Sequence, residues 1–169
     1  TLGGKERTSM EVELENIFKS APIEEFIPGD AYVNLNFFYS PIHKELEFLG
    51  ADRRVQFPNR EEALHYAVSL RESLESKAGA MGKKFVDITQ EVFGRGIVGP
   101  VALQCVGDMK ENLLVYDISS RIPGSPDTQY GPNSNYIFGE PVSFGRRIAM
   151  EITDAIELEG KEGLLKILS

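Results

Sequence analysis

Hydrophobic positions change period several times along this chain, and each change marks an element. Val33, Leu35, Phe37 and Tyr39 alternate with Tyr32, Asn34, Asn36 and Phe38. Side chains on a strand point to opposite faces in turn, so this alternation predicts a strand over 31–39. The stretch IHKELEFLGADRRVQF keeps the strand character, and a turn at Ser40 and Pro41 pairs it with the first strand. Leu74, Ala78, Met81, Phe85, Ile88 and Val92 instead recur at spacings of three and four. That period predicts a helix over 73–93 with these six as its buried stripe, Ser73 as N-cap, and Gly94 and Gly96 as its stop.

Two more strands, IVGPVALQCV and NLLVYDISSRI, flank the polar turn GDMKE. The Gly-, Pro- and Asn-rich run PGSPDTQYGPNSNYIFGEP then reads as loop. A second amphipathic helix is predicted over 143–159, with Phe144, Ile148, Ile152 and Ile156 inward, and a short apolar helix follows it. Near the start, EVELENIFKS reads as a short helix, and IEEFI as a short strand before a turn at Pro28 and Gly29. Residues 60–70 keep neither period. Antiparallel neighbours beside separate helices point to an α+β fold rather than a doubly wound parallel sheet.

Composition narrows the partners. The 169 residues carry a net charge of −8, with a pI near 4.9. Such a balance argues against a broad nucleic-acid or anionic-membrane surface, which needs clustered Lys and Arg. A small phosphate ligand held by a few local cations stays compatible. No apolar run approaches the ~20 residues of a membrane span, and TLGGKERTSM lacks the basic-then-apolar pattern of a secretory leader. Cys105, inside the apolar run VALQCV, is the single cysteine, so no internal disulfide can form. A reducing, cytoplasmic setting is expected. Cys105 itself reads as a small buried hydrophobe or, alternatively, as a catalytic thiol.

The sequence contains no P-loop, no G-x-G-x-x-G after a strand, no G-x-S-x-G and no Cys/His metal spacing. What it offers is the hairpin. With the turn centred near Met109 and Lys110, Gln104 falls roughly across from Asp117, and alternation places Val115, Asp117, Ser119 and Arg121 on one face. An acid, an amide oxygen and a hydroxyl suit Mg²⁺, which uses one or two protein carboxylates and fills its shell with water and substrate phosphates. Arg121 would grip phosphate. The alternative is an Asp–Arg pair on a wet sheet face.

In IEEFIPG, two acids could be surface charges, or a carboxylate for ribose hydroxyls beside a strand edge for a purine. In ADRRVQF, Arg53 and Arg54 could be solvated, or could fork onto phosphate. In SLRESL, Arg71 and Glu72 precede a helix N-terminus, where anions are favoured. His43 and His65 show no Ser, Cys or Asp partner in the sequence, so no hydrolase triad is supported.

Taken in order, IEEFIPG, NFFYSPIHKELEFLGADRR, LRESL, GPVALQ, YDISSRI and EPVSFGRRIAMEI resemble the C-terminal half of the archaeal formate–phosphoribosylaminoimidazolecarboxamide ligases, over most of residues 21–158. Those are ATP-grasp enzymes of purine biosynthesis. The resemblance implies an ATP-grasp fold, antiparallel sheets with flanking helices that grip ATP. Residues 1–169 would be the C-terminal portion of a larger ligase, with its N-terminal domain outside this chain. It implies ATP, Mg²⁺, formate and a ribonucleotide as ligands, formyl phosphate as the activated species, and a homo-oligomer. Carried over by position, Glu24, Glu25, Phe26 and Ile27 form the adenosine-binding strand. Gln104 and Asp117, with Ser119, hold the metal. Arg121 is the catalytic cation on phosphate, and Asn36, Tyr39, Ser40, Arg53 and Arg54 line the ribonucleotide site. The chain departs from the family pattern at Asp117, where a Glu is expected, at Gln104, often an acid, and at Asn36, where a His is expected. These departures leave open a ligase for another small carboxylate or amine, or a non-catalytic nucleotide-binding paralogue.

Overall fold

The computed structural model describes Gly29 and residues 31–57, 63–107, 112–123 and 126–168. The helix expected in EVELENIFKS, the strand expected in IEEFI and residues 108–111 of the hairpin turn lie outside the described residues. Among the described residues, strands β1 (Ala31–Ser40), β2 (Glu45–Val55), β3 (Leu64–Val68), β4 (Gly99–Gly107) and β5 (Leu113–Ser119) form one sheet, ordered β3-β2-β1-β4-β5. Every neighbouring pair is antiparallel. Helices α1 (Glu72–Phe93), α2 (Pro132–Phe138), α3 (Phe144–Glu159) and α4 (Lys161–Leu168) flank it. The α+β reading holds. The run 123–141, read as loop, contains a 3₁₀ turn (Thr128–Tyr130) and α2, which opens on Pro132 and closes at the left-handed Gly139.

Strand β1 lies at the centre and is covered on both faces. Val33, Leu35 and Phe37 join Ala51, Val101, Leu103 and Cys105 in a core cluster that also takes Ala78 of α1. The buried positions of α1 are Leu74, Ala78, Gly82, Val86 and Thr89. The expected stripe is therefore corrected: Ile88 and Val92 are 47% and 64% exposed, and Met81 and Phe85 only border the cluster. The reason is at Gly82. A Cβ there would lie 2.7 Å from the Phe37 ring and 2.9 Å from Leu46, so the helix rests its backbone on the sheet. Contact runs through the small residues, which turns the larger ones aside. The cap is also corrected: Arg71, not Ser73, occupies the N-cap position.

On the other face, Phe38, Leu49 and Phe144 form a second cluster beneath α3, whose N-cap Ser143 accepts from the Arg146 amide. Here too the expected inward row is corrected. The buried residues of α3 are Phe144, Arg147, Glu151 and Ala155, while Ile152 and Ile156 are exposed. Arg147 lies inside because it is paired. It bonds Glu47 and Glu151 and stacks 4.2 Å above the centre of the Phe38 ring. A pattern that sends every charge outward reads this helix about one position out of phase.

Candidate functional site

The α3 side of the sheet is covered at one end only. At the other, register lines up four polar residues from four strands. Asp52 of β2 opposes Asn34 of β1, Asn34 opposes Gln104 of β4, and Gln104 opposes Asp117 of β5. Neighbouring strands are spaced ~4.8 Å apart, so the backbone positions of the two acids stand about 14 Å apart with two amides between them. Each amide donates to the nearer acid: Asn34 Nδ2 to Asp52 Oδ1 at 2.9 Å, and Gln104 Nε2 to Asp117 Oδ2 at 2.6 Å. The next row places His65 of β3 opposite Arg54 of β2, and Arg54 opposite Tyr32 of β1. Between these rows and the chain after β5 lies an open cleft of about 220 Å³, lined by Asn34, Arg54, His65, Gln104, Ser119 and Arg121.

A bulge shapes the β5 side. Gln104 opposes Asp117 but Cys105 opposes Val115, so Tyr116 is an extra residue. The expected face of Val115, Asp117, Ser119 and Arg121 is corrected accordingly: Val115 moves to the Cys105 side, and Tyr116 comes round beside Asp117. Its hydroxyl donates to Gln104 Oε1 at 3.3 Å, and its ring meets Tyr32 edge-on at 6.1 Å. Burial pushes the Tyr116 phenol up, the Arg54 charge pulls it down, and the Asp117 charge adds to the rise.

Asp52 is the most enclosed acid of this face, at 1% exposure. It accepts from Asn34 and from Asn36 Nδ2 (2.9 Å) and lies 3.0 Å from His65 Nδ1. His43 Nε2 likewise lies 3.0 Å from Asp154. The expectation that neither histidine has an Asp partner is overturned. The residues 60–70 give no period, so the β2–β3 pairing that brings His65 to Asp52 had no signal in that stretch. Asn34, Asp52, His65 and Tyr116 are thus site residues that the sequence reading passes over.

Of the residues singled out from sequence, Arg54, Gln104, Ser119 and Arg121 meet at the cleft, and Asp117 joins through Gln104. Asn36 lies beneath it, bonded to Asp52. Tyr39, Ser40 and Arg53 do not join them. Tyr39 points to the α1 side, where its hydroxyl accepts from Gln90. Ser40 is buried under α3, donating to Glu151 at 2.7 Å. Arg53 opposes Val33, on the α1 face. Glu24, Glu25, Phe26 and Ile27 lie outside the described residues.

Among the described residues no three His, Cys, Asp or Glu side chains converge as a closed metal site. The β4–β5 donors still fit a hard cation that keeps most of its shell as water and phosphate. Asp117 is exposed, and Ser119 Oγ is buried with no hydrogen-bond partner. Gln104 presents its nitrogen to Asp117, so its oxygen would serve only after the amide turns. Cys105 is fully buried, and burial pushes its thiol up to about 12. That excludes the catalytic-thiol reading, since the thiolate is the nucleophile. No described helix is long and apolar enough to cross a membrane.

Two overlapping stretches, residues 5–63 and 57–167, match the model of a family described as a domain of unknown function, DUF1297. A curated protein of Methanococcus maripaludis, named 5-formaminoimidazole-4-carboxamide-1-(beta)-D-ribofuranosyl 5'-monophosphate synthetase, is 32% identical over 86% of this chain and 46% of its own length. The Methanocaldococcus jannaschii protein of the same name is 32% identical over 83% of this chain and 44% of its own. The chain thus spans a little under half the length of these relatives. Among solved structures, an IMP biosynthesis protein PurP from Thermococcus kodakaraensis superimposes with a TM-score of 0.68 at 35% identity, covering 82% of this chain and 50% of that one.

Proposed function

The chain belongs to the DUF1297 family and has an α+β fold, and we propose that it is the C-terminal ATP-grasp portion of a ligase. That ligase formylates a purine-pathway ribonucleotide, aminoimidazole carboxamide ribonucleotide, using formate, ATP and Mg²⁺. The observation that carries this reading is the cleft itself: two guanidinium groups, Arg54 and Arg121, border a polar sheet face that ends at Asp117. The names of the relatives give the formamido product, and the amine that would be formylated to make it is the substrate proposed.

Attack of a formate oxygen on the terminal phosphorus of ATP would release ADP and give formyl phosphate. The ribonucleotide amine would then take the formyl group and release phosphate. Such chemistry depends on position and on balancing charge, and needs no covalent nucleophile from the protein. Arg121 would fork onto the transferring phosphate, and Arg54 would hold anionic groups from the opposite wall. Asp117 and Ser119, with Gln104 once its amide turns, would hold Mg²⁺, which when bound neutralises phosphate charge. The apolar α1 face keeps the floor of the cleft fixed. As a biosynthetic ligase with one buried thiol, the protein would work in the cytoplasm.

The test uses the full-length polypeptide that carries this chain, incubated with Mg²⁺, ATP, the ribonucleotide and ¹³C-formate. A new ¹³C-formamide resonance growing in step with ADP supports the reading. ATP turnover indifferent to formate, or none, contradicts it.

A further inference from the structure

The Asp52–His65 pair is left unused by the electrostatic account above, although it stands in the wall of the cleft. The His65 side chain is 27% exposed and that of Asp52 is 2% exposed, with Nδ1 to Oδ1 at 3.0 Å. The carboxylate also accepts from Asn34 and Asn36, so donors surround it and fix it in place. An imidazole whose Nδ1–H is held by a carboxylate keeps the tautomer in which Nε2 carries the lone pair. Nε2 has no hydrogen-bond partner among the described residues, and the ring lines the cleft beside Arg54 and Asn34. Buried acid, held ring and free nitrogen at a cleft wall make up an oriented proton acceptor.

We propose that His65 is the general base of the formyl-transfer step, with Asp52 as its positioning residue; this rests on the ligase reading above. The amine nitrogen of the ribonucleotide attacks the formyl carbon of formyl phosphate, forming the C–N bond. The C–O bond to phosphate breaks, and phosphate leaves with that electron pair. The proton lost by the amine passes to His65 Nε2, and Asp52 faces the imidazolium so formed. The ring returns the proton to solvent after phosphate departs. An amine conjugated to an imidazole carboxamide is a weak nucleophile, which is where a positioned base contributes most.

The experiment separates transfer from activation in the full-length protein. Activation is read without ribonucleotide, as formate-dependent scrambling of ¹⁸O between the β,γ-bridging and β-non-bridging positions of ATP; transfer is read as formamide formed. In His65→Gln, transfer should fall about 100-fold, the lower range for loss of a general base, while scrambling changes only severalfold. In His65→Gly, added imidazole should restore transfer, and Asp52→Asn should lower transfer with little change in ribonucleotide KM. Transfer within severalfold of wild type in His65→Gln would overturn the proposal. So would an equal fall of both steps in His65→Gly with no rescue by imidazole. A wild-type protein without formate-dependent scrambling or product would overturn the ligase reading itself, and this proposal with it.

Discussion

The guanidinium of Arg147 forks onto Glu47, with Nε at 2.6 Å from Oε2 and Nη2 at 2.9 Å from Oε1. Its third nitrogen reaches Glu151 at 3.0 Å, and Glu151 in turn accepts from Ser40. This network ties α3 to the β1–β2 hairpin and closes one end of the polar face, leaving the cleft at the other. Burial works against the Arg147 charge, but the bonds and charges of Glu47 and Glu151 outweigh it, so the guanidinium is held more firmly protonated than usual.

Removing that cation leaves two acids, Glu47 and Glu151, with little access to water. Arg147→Met should cost about 3–5 kcal/mol in urea unfolding, as for other broken buried pairs. Arg147→Lys should cost less, because it keeps the charge and loses only the fork. Unchanged unfolding of Arg147→Met would show that the pair is not what anchors α3.

Two glycines of α1 should respond with opposite signs. A Cβ at Gly82 meets Phe37 and Leu46 below 3 Å, whereas nothing lies within 4 Å of one at Gly79. Gly79→Ala should stabilise by up to about 1 kcal/mol through helix propensity. Gly82→Ala should destabilise by about 1–3 kcal/mol, because overpacking exceeds that gain. Thermal unfolding of the two variants side by side reads both signs.

The Cys105 thiol gives a pH prediction. In the folded chain burial pushes it from 9.0 up to about 12, while in the unfolded chain it ionises near its ordinary value. Between those values the unfolded state binds fewer protons than the folded state, so stability falls as pH rises. The loss is roughly 1 kcal/mol for each pH unit across that window. Below pH 8 the thiol is protonated in both states and contributes no slope. Cys105→Ala should therefore lose less stability than wild type between pH 9 and 11, measured by urea midpoints. Parallel curves would contradict the assignment.

Asp117 is exposed and bonded only to Gln104 among the hydrogen bonds of the cleft. Asp117→Ala should leave unfolding within about 0.5 kcal/mol of wild type, as for most surface changes. In the full-length protein it should abolish Mg²⁺-dependent ATP turnover. Turnover that survives would remove Asp117 from the metal site.

What the sequence discloses follows the clarity of its periods. The alternation of β1 is plain because its odd side chains are apolar and two of its even ones are Asn, so both the strand and its polar side are legible. Gln104 opposite Asp117 is legible from hairpin counting only roughly, since a turn centred between Met109 and Lys110 sets Gln104 against Val115 and the register shift beyond Cys105 brings Asp117 there instead. Tyr116 is not, because a bulge reverses alternation without leaving a mark in composition. His65 and Asp52 are hidden for another reason. Their contact depends on a five-residue strand, LHYAV, in which no face is apolar enough to announce itself. The inward Arg147 and Glu151 are invisible to any pattern that treats charge as solvated, since only the folded hairpin supplies Glu47. Tyr39, Ser40 and Arg53 sit beside cleft residues in sequence, and the strand period carries Tyr39 and Arg53 to the opposite face.

The central claim is that formate is activated as an acyl phosphate on this sheet face and passed to an amine, and oxygen bookkeeping tests it directly. The full-length protein would be given ¹⁸O-formate, ATP, Mg²⁺ and the ribonucleotide, and the released inorganic phosphate analysed by mass spectrometry. The account predicts one formate-derived ¹⁸O in each phosphate, in step with formamide formed. Formamide produced alongside phosphate that carries no ¹⁸O would contradict it.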